Sequence, residues 1–180
     1  MSTSIRAPRP DELEALRTIE RAAGNTFRDV GMDDIAEHEP AAAEELAAYL
    51  EAGRAWVVCE EDVPVGYALV DVVDEEAHLE QLSVRPESGR RGLGAALLDH
   101  VCRWARDKGF GAVTLTTFEH VPWNAPYYGR HGFRVLADDE LGPELRRQRA
   151  QEAAHGLDPA LRVCMRRALI DHDQRGTPLP

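Results

Sequence analysis

Apolar positions along this 180-residue chain recur in two rhythms, one of about 3.6 residues and one of two, and the two rhythms alternate. Ser4 to Pro8 reads as a short first strand. Pro10-Asp11-Glu12 then opens a helix with acidic residues in its first turn; Leu13, Leu16 and Ile19 form its apolar stripe, and Gly24 ends it. A second helical run covers Pro40 to Glu51, with Leu46, Tyr49 and Leu50 on one side and Gly53 beyond its end. Between them, Asn25 to Glu39 shows no ruling period. Arg54 to Cys59 and Pro64 to Val73 are β-rich runs joined by Glu60-Glu61-Asp62-Val63, which predicts a hairpin, and Glu75 to Val84 is the next strand.

After a turn rich in arginine and glycine, Leu93, Leu97, Val101 and Trp104 return to helical spacing as far as Lys108-Gly109. Gly111 to Thr117 is a β-branched run, Pro122 to Arg130 a short helix, and Gly132 to Ala137 a strand. Pro143 to His155 is a charged helix with Pro at its start and Gly156 past its end, and Leu161 to Leu169 alternates as a final strand. Strand hairpins in the front half and helices between later strands predict an α/β (α+β) fold, with a mixed, mostly antiparallel sheet flanked by helices. The expected organisation is one globular domain over residues 1–170 followed by a loose tail, 171–180.

Composition narrows the classes. Hydrophobic residues make up 43% of the chain, enough for a core of its own. The N-terminus lacks an apolar signal core, and no segment approaches the roughly 18 apolar residues of a membrane span, so the expectation is a soluble cytoplasmic protein without a membrane partner. Cys59, Cys102 and Cys164 are widely spaced and have no partner at metal-ligand spacing; they read as buried thiols, and no metal is expected. Lys plus Arg less Asp plus Glu is 21 − 32, a net charge of −11, which repels nucleic acid. Arginines nonetheless gather at Arg85/Arg90/Arg91, Arg146/Arg147/Arg149 and Arg162/Arg166/Arg167, the last two clusters reading as ordinary ion pairing.

The candidate chemistry begins at the turn Gly89-Arg90-Arg91-Gly92-Leu93-Gly94-Ala95. Gly92 and Gly94 allow a ligand close to the backbone, and the helix that starts there aims unpaired N–H groups and its positive dipole end into the turn. An anion fits there, and a Gly-x-Gly alone would serve several nucleotide ligands. A dinucleotide-binding βαβ unit is disfavoured, because a hairpin precedes the glycines.

Taken with the strand before it, the strand Val113 to Thr117, and the segment Asn124-Ala125-Pro126-Tyr127-Tyr128-Gly129-Arg130-His131-Gly132-Phe133, the turn resembles the signatures of the GNAT superfamily of acetyl-CoA-dependent N-acetyltransferases. The resemblance runs from Ser4 to Leu169 and is densest from His78 to Phe133. It implies a sheet of about seven strands, acetyl-CoA as cosubstrate with its pyrophosphate on the N–H groups of Arg90 to Ala95, and pantetheine along Leu82, Ser83 and Val84. The order Gly89-Arg90 is exchanged relative to the family's commoner Arg-Gly, which leaves open whether Arg90 or Arg91 reaches a phosphate. Asn124 is a further cofactor contact by the resemblance, although relatives often place their Asn one turn earlier.

Acyl transfer to an amine needs the neutral amine, whereas an alkylammonium of pKa about 10.4 is almost wholly charged at pH 7, so a base belongs beside it. Strand alternation puts His78, Glu80, Leu82 and Val84 on one face, and the family's bases come from the positions matching His78 and Glu80. Tyr128 matches the tyrosine that acts as general acid towards the departing thiolate. The resemblance thus implies direct acetyl transfer to a primary amine of a small molecule, a peptide or a protein. The competing possibility is an inactive acyl-CoA-binding sensor or interaction domain. In the family, acceptor contacts come from the segments matching Asn25 to Glu39 and Pro143 to His155; the latter covers the acceptor site or a homodimer contact, with Phe27, Trp123 and Arg146 as candidate lining.

Overall fold

The structure, a computed structural model, describes residues 2–169; the expected tail at 171–180 lies outside them. Its elements in chain order are β1 (Thr3–Arg6), α1 (Leu13–Gly24), α2 (Asp33–Ala36), α3 (Ala43–Glu51), β2 (Ala55–Glu60), β3 (Val63–Val73), β4 (Glu76–Val84), α4 (Leu93–Asp107), β5 (Ala112–Phe118), α5 (Ala125–Arg130), β6 (Arg134–Val135), α6 (Pro143–Ala154) and β7 (Arg162–Ala168). The strands form one seven-stranded sheet in the order β1-β2-β3-β4-β5-β7-β6. Every neighbouring pair is antiparallel except β4 with β5.

Local sequence accounts for most of these boundaries. Pro10-Asp11-Glu12 forms a tight 3₁₀ turn that leads into α1, whose Leu16 and Ile19 are fully buried. Asn25 to Glu39, which has no ruling period, becomes a 3₁₀ turn over Asn25–Val30 and the single turn α2. The β2–β3 connection is tighter than its four-residue reading: Glu60 and Val63 pair in the ladder, and only Glu61 and Asp62 turn, both with positive φ (47° and 65°). Left-handed residues at both central positions match the twist of the flanking strands. Gly132 to Ala137 yields only the two-residue β6, because the chain bends at Ala137 into another 3₁₀ turn.

Two apolar layers sandwich the sheet. On one face α4 and α5 bury Leu97, Leu98, Val101 and Tyr128 against Val70, Ala77, Leu79 and Leu115. On the other, α1 and α3 bury Leu16, Ile19 and Leu46 against Val57, Tyr67 and Leu69, while Leu145 of α6 packs with Val73 and Cys164. All three cysteines are buried and free.

One expectation about β4 is corrected. Leu69 stands opposite Gln81 while Val70 stands opposite Leu79, so Glu80 is an extra residue, a β-bulge. Strict alternation would keep His78, Glu80, Leu82 and Val84 on one face. The inserted residue shifts the phase instead: Leu82 and Val84 pack into the α4 layer beside Ala77 and Leu79, while Gln81 hydrogen-bonds Ser83 on the opposite face. His78 and Glu80 remain together, facing α6.

Candidate active site

Beside that bulge the sheet opens. β4 and β5 are in register only at Ala77 with Val113 and His78 with Thr114; from Leu79 onward the β4 edge facing β5 has no strand partner among the described residues. Leu82, Ser83 and Val84 lie on this open stretch and lead into the glycine turn. A backbone edge without a ladder partner is a row of free donors and acceptors, able to pair with an extended ligand.

The turn's geometry follows from its residues. Gly89 is extended (φ −68°), and a Cβ there would stand 3.1 Å from the carbonyl of Pro86. Arg90 takes the left-handed conformation at φ 61°, so the exchanged Gly-Arg order leaves a side-chain-bearing residue where glycine is the natural choice. Gly92, also left-handed at φ 76°, accepts the first helical hydrogen bond of α4 from Ala96. The N–H groups of Leu93, Gly94 and Ala95 therefore point out of the helix end without helical partners. The two arginines differ: Arg91 pairs with Glu60 at the end of β2, and Arg90 carries no ion pair among the described residues. Tyr127 borders the same turn, since a Cβ on Gly94 would come within 3.2 Å of its hydroxyl. Asn124 caps the start of α5 through its backbone only; its side chain makes no capping bond.

On the α6 side, His78 is 1% exposed and hydrogen-bonds Thr114 Oγ1 through Nδ1 at 2.9 Å. Burial lowers its pKa to about 4, so its ring is neutral at physiological pH. Glu80 keeps 39% of its side chain exposed, at the wall of a cleft of about 720 Å³. Burial raises its pKa to about 7, with the Asp71 and Glu152 charges adding to the effect and a hydrogen bond from Gln148 opposing it. A carboxyl group poised near neutrality suits proton transfer at pH 7. Tyr128 is buried against Tyr127 and Phe133, and burial raises its pKa, so its hydroxyl stays protonated and able to donate.

The cleft beyond Glu80 is acidic: Glu45, Asp71, Glu144 and Glu152 line it along with Glu80, against the cations Arg147 and His155, the latter only when protonated. Phe27 and Trp123 do meet, with ring centroids 5.6 Å apart, joining the turn after α1 to the loop after β5. Arg146 lies elsewhere: it binds the carbonyls of Leu141 and Asp138 and lines a separate cavity of about 570 Å³ between α6 and β7. The arginines of β7 are ion-paired, Arg162 with Glu152, Arg166 with Glu76 and Arg167 with Asp99.

Gln148, on α6, is the residue that sequence reading missed. Its amide nitrogen lies 3.0 Å from both His78 Nε2 and Glu80 Oε2. The available signal was the spacing of Glu144, Gln148 and Glu152, which puts one uncharged polar residue between two carboxylates on a helix face. α6 is held in place by Asp74 of the β3–β4 turn, which accepts from the N–H groups of Glu144 (2.9 Å) and Leu145 (3.0 Å) while its own N–H donates to the Glu144 carboxylate. That reciprocal cap requires Gly142, because a Cβ there would overlap the Asp74 carboxylate.

Comparison with known proteins bears on the family and the fold. The sequence model of the acetyltransferase (GNAT) family matches residues 14–133. Among solved structures, N-acetylglutamate synthase from Neisseria gonorrhoeae, complexed with coenzyme A and N-acetyl-glutamate, superposes with a TM-score of 0.71 at 18% identity over 94% of this chain. This chain spans only 36% of that larger protein. An acetyltransferase of the GNAT family from Staphylococcus aureus Mu50 gives 0.69 at 16% identity, covering 94% of this chain and 100% of its own. The PaiA N-acetyltransferase from Thermoplasma acidophilum, in complex with coenzyme A, gives 0.61 at 15%, covering 93% and 99%. At such identities the likeness is one of fold.

Proposed function

The chain belongs to the GNAT acetyltransferase family, and from that premise we propose that it moves an acetyl group from acetyl-CoA directly to a primary amine, with Glu80 as general base and Tyr128 as general acid. The observation that carries this reading is the place of Glu80, at the point where the open β4 edge meets the acidic cleft. Arg90 to Ala95 and the β4 edge form a backbone-lined track on one side of it, and the cleft offers room for an acceptor on the other.

The residues present fit a CoA thioester. Pyrophosphate is an anion suited to the N–H groups at the start of α4, with Arg90 free to reach a phosphate, and the amide groups of pantetheine match the unpaired edge at Leu82, Ser83 and Val84. Bound there, the thioester supplies an activated acetyl carbonyl. An acceptor enters as its ammonium, drawn by the negative cleft. Glu80, ionised, takes one proton from the nitrogen, whose lone pair then forms the C–N bond as the C–S bond breaks. Tyr128 donates its hydroxyl proton to the leaving sulfur and is reprotonated as the acylated nitrogen gives up its second proton, while Glu80 releases the first to water, so the products are the acetamide, the CoA thiol and one proton. The raised pKa of Glu80 narrows its gap to an amine of about 10.4, which makes the proton transfer less uphill than it is to an ordinary carboxylate.

The excess of carboxylates favours a cationic acceptor over an anionic one. Thiol release measured with acetyl-CoA and a panel of amines tests the reading. Mono- and polycationic amines should react and amino-dicarboxylates should not, with kcat/KM rising with pH through about 7 as Glu80 ionises. Acetyl-CoA binding without thiol release from any amine would leave the sensor alternative standing.

A further inference from the structure

Thr114, His78, Gln148 and Glu80 form one hydrogen-bonded row that crosses from β5 through β4 to α6 and ends at the cleft. Gln148 lies outside residues 14–133, the part of the chain matched by the family. An amide nitrogen has two hydrogens and accepts nothing, so from its position 3.0 Å from each partner it donates one hydrogen to Glu80 Oε2 and one to His78 Nε2. His78 Nε2 is thereby an acceptor, which leaves the ring proton on Nδ1, donated to Thr114 Oγ1 at 2.9 Å. Turning the amide over would set its oxygen against an ionised carboxylate; the network selects the orientation with nitrogen between them.

We propose that Gln148 is a positioning residue: it holds the ionised carboxylate of Glu80 towards the cleft and locks His78 as the neutral Nδ1–H tautomer, a fixed post and not a second base. The proposal rests on the reading of Glu80 as the base. Gln148 makes the sole hydrogen bond to the Glu80 carboxylate among the described residues. The other groups around Glu80 act through charge. Asp71 of β3 and Glu152 of α6 favour its protonated form, and Arg162 of β7 opposes them. Tyr49 of α3 holds Asp71 with its hydroxyl at 2.9 Å. Farther along the cleft stand Glu45 from α3, Glu144 and Arg147 from α6, and His155 just past its end. Removing the one donor from this surround therefore favours protonated Glu80, and replacing it with a carboxylate does so more strongly.

The test compares the full chain with Gln148→Leu and Gln148→Glu. Titration of the Glu80 carboxyl carbon by NMR reads the network without any turnover, and the ¹⁵N shifts of His78 read its tautomer. The pH profile of kcat/KM for the amine reads catalysis. Expected is an upward move of the Glu80 titration and of the acid limb of kcat/KM together, about one pH unit in Gln148→Leu and more in Gln148→Glu; one unit lowers the rate on that limb about tenfold. KM for acetyl-CoA should stay unchanged, and His78 should lose its pure Nδ1–H signature in Gln148→Leu. If both variants melt as the parent does and neither the Glu80 titration nor the limb moves, Gln148 merely packs and the proposal is overturned. If the titration moves while the rate profile stays still, Glu80 is not the base, and the reading beneath the proposal falls with it.

Discussion

On the β4–α4 side of the site the groups offered to a ligand are backbone amides, whereas on the α6 side they are side chains. Gly92, Gly94 and the open β4 edge set the first; Glu80, His78, Asp71 and Gln148 set the second. A backbone-built surface depends on φ and ψ within one short segment, so it tolerates exchanges such as Gly89-Arg90 as long as the amides keep their direction. A side-chain-built surface depends on elements far apart in sequence, here β3, β4 and α6, arriving at one place. On the proposed reading the first recognises what CoA ligands share, a pyrophosphate and an amide chain, and the second discriminates among acceptors.

The largest effect that would break this contrast is expected from Gly92→Asp. A left-handed residue at φ 76° becomes strained and a carboxylate faces the anion track, so acetyl-CoA binding should vanish in calorimetry; retained binding would move the track elsewhere. Next, Glu80→Gln and Tyr128→Phe should each lower turnover roughly 10²- to 10⁴-fold with acetyl-CoA affinity nearly unchanged, and full activity in either would remove that residue from the chemistry. Gly142→Ala should push Asp74 off the start of α6, and Asp74→Ala should remove the cap directly. We expect each to cost about 0.5–2 kcal/mol in denaturant unfolding and to lower turnover while sparing acetyl-CoA binding. Equal loss of binding would show that the two sides are not independent.

The smallest effect sharpens the contrast from the backbone side. Arg90→Gly should relieve a left-handed side-chain residue by about 1 kcal/mol, a rise in Tm of roughly 2–4 °C. It should also weaken acetyl-CoA if Arg90 is the arginine that reaches phosphate. An unchanged affinity would assign that contact away from it, and Arg91, already held by Glu60, would need to leave its partner to take the role.

Much of this was legible beforehand, and the failures share a cause. Leu16 and Ile19 declared α1, Leu97 and Val101 declared α4, and the glycine turn declared where α4 begins, because each signal lies within a few residues. The face of β4 was misread past Glu80: a bulge inserts one residue relative to the neighbouring strand, and nothing in β4 alone announces which residue β3 will skip. Arg146 and Gln148 are two positions apart on a helix with little apolar patterning. Which of them meets Glu80 was decided by the rotation of α6 about its axis, set by Asp74 some seventy residues away in sequence.

The amino-acid sequence by itself determined the order of elements, the glycine turn at the head of α4 and the residue types available for proton transfer, since these follow from local conformation and periodicity. Only the tertiary structure decided that β4 and β5 part after His78, that Glu80 bulges towards an acidic cleft with its pKa raised, and that Gln148 stands between it and His78. The physical reason is that desolvation, neighbouring charge and hydrogen-bond partners belong to positions in space, and those positions exist only once distant segments have packed together.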